Sequence, residues 1–293
     1  MKKDKFFEKV KRLEIFASKL AVEMMAGNFK SAFKGQGIEF DEVREYTPGD
    51  DTRLIDWNVT SRMGIPFTKT FREEREMTLF FGVDVSASLF AAGSQDISKI
   101  RQVQLIFAIL SISAVLQHDK VGALFFSDQL EKWVQPSQGR KHILRLIHDL
   151  LKIKPEGIGS ELGRALRTMD ESMKRRGVCI IISDFKTSQY EKELSLLARK
   201  HDVIAIKIFD SNDVVFPPMG FLEMRDVESD DIILTFGRSK AFREEFKAFE
   251  EHEHMYWKRL CRSLNVDTLE IETSDDPALK MFQFFQKRKR RWR

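Results

Sequence analysis

The chain has 293 residues, of which 42% are hydrophobic, and this is enough for one large α/β domain with an appendage or for two modest domains. Its most apolar run, residues 105–116, is shorter than the roughly 20 residues that a membrane-spanning helix needs, and charges near the start exclude a secretory signal. The net charge of +4 is uneven, because residues 287–293 carry six positive charges while the rest of the chain is negative overall. We therefore expect a cytoplasmic protein without a specific nucleic-acid-binding face.

Residues 1–75 are predicted to form an N-terminal helix and a charged, turn-rich arm. Apolar residues recur at steps of three and four over residues 6–24, which is typical of a helix with one packing face. The arm is rich in turn signals, above all at residues 48–50, where both charge signs crowd together. We interpret it first as hydrogen-bonded scaffolding. The alternative is a partner-contact surface, with four candidate residues: Arg44, Asp50, Arg53 and, further along the chain, Glu161.

The central element is an apolar run from Leu79 that ends in Asp84, Ser86 and Ser88. Its Phe and Val content predicts a strand that is buried on both faces. Open α/β sheets bind ligands beyond the carboxyl ends of their strands. One carboxylate and two hydroxyls are a hard-oxygen set that suits Mg²⁺, and the alternative is simply a strand end that turns into a loop.

Strands and helices alternate over the following residues, which predicts βαβ units in a mainly parallel sheet. The predicted strands are residues 121–126, 130–134, 178–184 and 203–210, and the predicted helices are residues 98–117, 139–152, 161–175 and 189–200. The short link at residues 127–129 predicts a hairpin, so that 130–134 is an antiparallel edge strand. The predicted fold class is α/β, with a doubly wound, mainly parallel sheet flanked by helices, within a domain of residues 76–286.

Polar residues at the ends of these strands form the candidate metal site. Asp184 closes the strand at 178–184, and Ser160 lies at the Gly-rich start of a helix. All carboxyl ends of a parallel sheet lie at one edge, so five residues are expected to converge there: Asp84, Ser86, Ser88, Ser160 and Asp184. The expected ligand is Mg²⁺ or Mn²⁺.

The C-terminal part is predicted to complete the domain and to end in a basic tail. Residues 221–225 and 232–236 are typical of a hairpin, residues 266–271 of a last strand, and residues 275–277 of a helix start. A long helix between the hairpin and the last strand is predicted to cover the sheet with an apolar stripe: Phe242, Phe246, Phe249, Tyr256, Leu260 and Leu264. Residues 287–293 are like-charged, so we expect a solvated tail that is dispensable for folding, with weak contact to an anionic surface as the alternative.

The candidate site, with Asp84-x-Ser86-x-Ser88, the Ser160 hydroxyl and Asp184, resembles the metal-ion-dependent adhesion site of von Willebrand factor type A domains. The segments at residues 31–40, 44–53, 55–57 and 71–75 resemble the bacterial "domain of unknown function 58" family, over about residues 13–209. The resemblance implies a von Willebrand factor A-like fold and an accessory role with MoxR-type AAA+ ATPases in chaperone-like complex maturation.

One position departs from the pattern of such sites. The third hydroxyl is usually a Thr, whereas this chain has Ser160, followed by Glu161 rather than Asp. A Ser hydroxyl can still coordinate a metal, but it lacks the β-methyl group that restricts the Thr rotamer. We therefore expect metal binding at a looser site.

The sequence favours a non-enzymatic, metal-dependent binding module over an enzyme. It contains no phosphate-cradling Gly-x-x-x-x-Gly-Lys-Ser/Thr loop, no Gly-x-Ser-x-Gly elbow and no His-Glu-x-x-His pair. The expected ligand of the open metal position is a carboxylate of a partner protein. The alternative is a Mg²⁺-dependent phosphatase or hydrolase that uses the strand-end Asp residues, although no nucleophile or general base is evident.

Overall fold

The computed structural model describes residues 39–72, 77–90, 98–155, 157, 159–210, 221–225, 232–236 and 240–291. The predicted N-terminal helix lies outside these residues. The chain divides into two compact units, one of Lys34–Met77 and one of Met1–Phe33 with Thr78–Arg293.

The smaller unit is an antiparallel hairpin with two short helical segments between its strands. The strands are β1 (Glu39–Glu45) and β2 (Phe67–Arg72), and the segments between them are a 3-10 turn (Thr52–Leu54) and α1 (Trp57–Met63). The side chain of Asp51 caps the 3-10 turn, and that of Asp56 caps α1, because each accepts hydrogen bonds from the first backbone N–H groups. Gly64, with φ of 75°, ends α1 in the left-handed conformation that glycine favours.

The larger unit contains a six-stranded sheet. Its strands are β3 (Thr78–Asp84), β4 (Lys120–Phe126), β5 (Leu130–Ser137), β6 (Val178–Ser183), β7 (Asp202–Phe209) and β10 (Asp267–Glu272), and a separate antiparallel hairpin is formed by β8 (Phe221–Arg225) and β9 (Ile232–Phe236). The order in the sheet is β10-β7-β6-β3-β4-β5. All neighbours pair in parallel except β4 and β5, which are antiparallel. The predicted α/β class, with its antiparallel edge strand, is therefore confirmed.

Helices cover both faces of this sheet. They are α2 (Ala87–Phe90), α3 (Lys99–Leu116), α4 (Arg140–Lys152), α5 (Leu162–Ser172), α6 (Glu191–Lys200), α7 (Lys240–Ser263) and α8 (Pro277–Arg291). On one face, Phe80 belongs to a buried cluster with Met169 of α5 and Trp257 of α7. On the other face, the ring of Phe107 in α3 lies 5.0 Å from that of Phe81, in an edge-on arrangement.

Helix α3 is more apolar than a one-sided packing helix requires. By length and composition alone it could cross a membrane, which the sequence analysis did not anticipate. Within the fold, 67% of this helix is buried, and Phe107 also contacts Phe125 of β4, with ring centres 5.9 Å apart. The apolar composition therefore matches its place as a core helix.

The predicted long helix exists as α7, and Leu260 and Leu264 of the predicted stripe pack against the core, but the rest of the predicted packing face is shifted. Phe249 and Tyr256 are 59% and 45% exposed, whereas Trp257 and Cys261 are buried. The buried pair lies four residues apart, one position further along the helix than Tyr256 and Leu260. Apolar residues occur on more than one side of α7, so periodicity alone did not identify the side that faces the sheet.

The basic segment is helical up to Arg291, and the prediction that it is solvated holds for Lys287 and Arg290 but is wrong for Arg288. Arg288 is only 3% exposed. Its Nη2 donates a hydrogen bond of 2.6 Å to Asp202, and its Nε lies 3.2 Å from Asp267 Oδ2. Two carboxylates at the starts of β7 and β10 thus compensate an Arg that composition assigned to solvent.

Candidate functional site

The candidate site lies where the direction of strand connection reverses. From β3 the chain continues through β4 and β5 on one side and then returns to β6 on the other side of β3. Such a switch point leaves a crevice beyond the carboxyl ends of two adjacent strands, where α/β proteins bind ligands. Asp84 is the last residue of β3, and Asp184 directly follows β6.

Asp84 is fully buried and accepts hydrogen bonds from three segments of the chain. Its Oδ1 accepts the backbone N–H of Ser86 at 2.8 Å. Its Oδ2 accepts the hydroxyl of Ser160 at 3.0 Å and that of Ser183 at 2.7 Å. One carboxylate therefore gathers hydroxyl-bearing residues from the end of β3, the start of α5 and the end of β6.

The two hydroxyls of the Asp-x-Ser-x-Ser motif lie close together. The Oγ atoms of Ser86 and Ser88 are 3.2 Å apart and share a hydrogen bond. Ser86 is buried, whereas Ser88 is half-buried on α2. The backbone N–H of Val85 donates to the carbonyl of Phe126, which extends the pairing of β3 with β4 by one residue. The residues after Asp84 therefore stay beside the end of β4, where the motif follows β3.

The loop that carries Ser160 is held by β4 and β5. The backbone N–H of Glu161 donates to the carbonyl of Ser127 at 2.8 Å. The carboxylate of Glu131 accepts hydrogen bonds from the hydroxyl of Ser127 at 2.6 Å and from the backbone N–H of Gly157 at 3.1 Å. Together these contacts fix the backbone on both sides of the Ser160 hydroxyl.

Gly157 packs closely against the side chains of Ser127 and Asp128. A Cβ atom there would lie 1.7 Å from Asp128 Oδ1. On the far side of the loop, the hydroxyl of Thr187 donates to the carbonyl of Ser160 at 2.7 Å. The strand end at β6 and the loop before α5 are thereby joined at the candidate site.

Asp184 is the second buried carboxylate, at 1% exposure. Its Oδ1 accepts the backbone N–H of Lys186 at 3.3 Å. Its Oδ2 is buried and accepts no hydrogen bond from any residue that the structure describes. The buried ammonium of Lys99, at the start of α3, lies 3.8 Å from this oxygen.

The two carboxylates influence each other electrostatically. Burial, and next the negative charge of Asp184, raise the pKa of Asp84 to about 6, against the smaller opposing effects of hydrogen bonds from Ser86 and Ser183. Burial and the nearby Asp184 charge therefore disfavour ionising both carboxylates, and added positive charge would favour it. A divalent cation would supply that charge.

The residues present fit such a cation. The donor set consists of carboxylate and hydroxyl oxygens, which Mg²⁺ and Mn²⁺ prefer, and the open acceptor of Asp184 is the kind of atom that a metal-bound water satisfies. The described part of the chain contains no group of three or more His, Cys, Asp or Glu side chains that could hold a metal. A metal here would depend on the hydroxyls of Ser86, Ser88 and Ser160.

The candidate partner-contact residues lie in both units. In the smaller unit, Arg44 Nη2 lies 2.7 Å from Asp50 Oδ1 and Arg44 Nη1 donates to Thr47, which confirms the hydrogen-bonded turn. Arg53 is exposed, and its backbone contributes the cap hydrogen bond to Asp51. Glu161 belongs to the larger unit and is exposed at the N-cap of α5. Their role in partner binding stays a prediction.

Sequence analysis did not identify three residues around this site. Ser183 directly precedes Asp184, and its polarity at the end of an apolar strand was an available signal. Lys99 and Glu131 gave no local signal, because Lys99 reaches the site through the packing of α3 and Glu131 through the β4–β5 hairpin.

The six-stranded, mainly parallel sheet and the oxygen-rich crevice beyond β3 and β6 define an open α/β fold with polar residues at its switch point. Among solved structures, the chain is similar to the conserved hypothetical protein BatB from Bacteroides thetaiotaomicron, with 14% identity, a TM-score of 0.42 and coverage of 73% of this chain and 99% of that one. It is also similar to the pilus adhesin SpaC from Lactobacillus rhamnosus GG, with 10% identity, a TM-score of 0.42 and coverage of 89% and 36%.

The chain belongs to the family described as "Protein of unknown function DUF58", whose model matches residues 42–255. Uncharacterized proteins of Mycobacterium tuberculosis and Mycobacterium bovis are each 28% identical to it over 285 residues, which cover 96% of this chain and 89% of theirs. A third relative, from Mycobacterium avium, is 27% identical over 137 residues, covering 46% of this chain and 80% of its own.

Proposed function

We propose that this chain is a non-enzymatic, metal-dependent protein-binding module of the cytoplasm. The observation that carries the proposal is the fully buried Asp84 carboxylate, which gathers hydroxyls from separate segments beside a second buried carboxylate with an open acceptor. That acceptor receives no hydrogen bond from the described residues, and its nearest described cation is the Lys99 ammonium at 3.8 Å. A site of this kind suits a cation better than it suits an isolated protein core.

Each residue has a defined role in the proposal. Asp84 and Asp184 supply the negative charge and orient bound waters, while Ser86, Ser88 and Ser160 coordinate directly. When bound, Mg²⁺ or Mn²⁺ supplies an open coordination position for an Asp or Glu side chain of a partner protein. The two carboxylates roughly neutralise a divalent ion. When they act through bound water, however, the ion still attracts the carboxylate of a partner protein.

The proposed partner is a MoxR-type AAA+ ATPase, with which the chain would act as an accessory protein in chaperone-like complex maturation. This part rests on the family resemblance alone. The resemblance covers the arm and the metal-site motif, so both surfaces are candidates for the contact. A single comparison separates them.

The test is a pulldown of a MoxR-type AAA+ ATPase from the same organism with and without EDTA, using wild type, Ser86→Ala and Arg44→Ala. We expect binding to be lost in EDTA and in Ser86→Ala but kept in Arg44→Ala. The opposite pattern would move the interface to the arm. Turnover of a phosphate or ester substrate that is lost in Asp84→Ala would instead favour the Mg²⁺-dependent hydrolase.

A further inference from the structure

A second cavity lies at the opposite edge of the sheet from the candidate metal site. Its volume is about 670 Å³, and it is lined by the end of α7, the start of β10 and the second half of α8. Asp267, the first residue of β10, is part of the lining, whereas Asp84 and Asp184 are at the carboxyl ends of their strands. The cavity is therefore separate from the proposed metal-binding function.

The lining of this cavity is strongly basic. It includes five cationic side chains: Lys258, Arg259, Arg262, Lys287 and Arg288. Asp267 is the only acidic residue among the lining residues that the structure describes, and it is paired with Arg288 at 3.2 Å. Lys258 is paired with Glu270 at 2.7 Å.

After these pairs are counted, three cations remain. Arg259, Arg262 and Lys287 are exposed, and within the described residues they make no ion pair or side-chain hydrogen bond. A helix C-terminus favours a nearby cation, which accounts for one such residue on each helix. It does not account for three cations from two helices around a single concave wall.

The shape of the cavity limits what would neutralise them. Its volume falls within the range of small-molecule sites, whereas a bilayer or a nucleic-acid duplex needs a flat or extended surface. Arg forks match phosphate oxygens in a two-pronged geometry, and Lys adds a point charge. The half-buried ring of Phe284, also in the lining, offers an apolar wall.

The buried Arg288 fixes the position of α8, which forms one side of the cavity. Because it joins α8 to the starts of β7 and β10 through Asp202 and Asp267, the cations of α8 are held opposite those of α7. The helices that carry the cations are thus preorganised, and binding need order only the side chains. We propose that this cavity binds a small organic phosphate, with its phosphates against Arg259, Arg262 and Lys287 and its organic part against Phe284.

The test is calorimetric titration of the full chain with pyrophosphate and with adenosine triphosphate, in EDTA so that the candidate metal site plays no part. Both probes should bind, and more weakly as salt is raised, because the contacts are ionic. Arg259→Gln with Arg262→Gln should weaken both by at least about tenfold, since each removes a hydrogen bond to a charged group. Phe284→Leu should weaken adenosine triphosphate alone.

Arg199→Gln is the matched control, because Arg199 is also an exposed cation in the last turn of a helix but lies outside the cavity. It should bind both probes as wild type does. Failure of wild type to bind either probe, or equal binding by the double variant, would overturn the proposal. Binding of anionic vesicles, duplex DNA or an acidic peptide that is lost in the double variant, without binding of either probe, would overturn it in favour of a macromolecular partner.

Discussion

Replacing Arg288 with Met should strongly destabilise the larger unit. The Arg288 side chain is 2% exposed, and its two partners, Asp202 and Asp267, are 6% and 17% exposed. Removing one member of a buried ion pair leaves its partners uncompensated and typically costs about 3–5 kcal/mol. For a protein of this size, such a loss lowers the thermal midpoint by roughly 6–20 °C.

The assay is thermal unfolding followed by circular dichroism, with Arg290→Met as the matched control. Arg290 is two residues further along the same helix and is exposed, so its loss should change the midpoint by no more than about 2 °C. Adding Asp202→Asn to Arg288→Met should recover part of the loss, because it removes one of the two buried carboxylates that lose the Arg288 charge. Equal midpoints for the Arg288 and Arg290 variants would refute the reasoning.

Three further changes test the site and the core. In EDTA, the stability of wild type relative to Asp84→Asn should fall as pH rises from about 4 to 6, because the folded-state pKa of Asp84, about 6, exceeds its ordinary value of 3.8; parallel pH profiles would contradict this. Glu131→Ala should weaken Mg²⁺ binding about tenfold by releasing the loop before α5, whereas the exposed Glu161→Ala should not. Equal affinities of the two variants in calorimetry would show that Glu131 does not position this loop for the metal. Gly82→Ala should cost about 1–3 kcal/mol in urea unfolding, since the new Cβ would lie 2.6 Å from Met169 Sδ; an unchanged midpoint would show that the core adapts freely.

The fold was predictable because its signals are local. Apolar runs of strand length alternate with helical periodicity from Thr78 to Phe209, and this alternation permits few topologies other than a parallel sheet. The packing face of α7 was not predictable in the same way. Phe249 and Trp257 are both large and apolar, and only the position of the sheet decides that Trp257 is the one that is buried.

The candidate site was predictable to the extent that it follows from topology. Parallel strands bring their carboxyl ends to one edge, so Asp84 and Ser160 were expected to meet, and their side chains are hydrogen-bonded. Lys99 and Glu131 reach the same place through tertiary contacts between elements distant in sequence. Composition was misleading for Arg288, because the like charges around it hid one residue with two buried carboxylate partners.

The central claim is that the crevice between β3 and β6 binds one divalent cation. Calorimetric titration of Mg²⁺ and of Mn²⁺ into wild type, Asp84→Asn and Asp50→Asn tests it most directly, because Asp50 is a carboxylate of the smaller unit engaged with Arg44. The account predicts one ion per chain for wild type and for Asp50→Asn, and none for Asp84→Asn. No binding by wild type, or equal binding by Asp84→Asn, would contradict it.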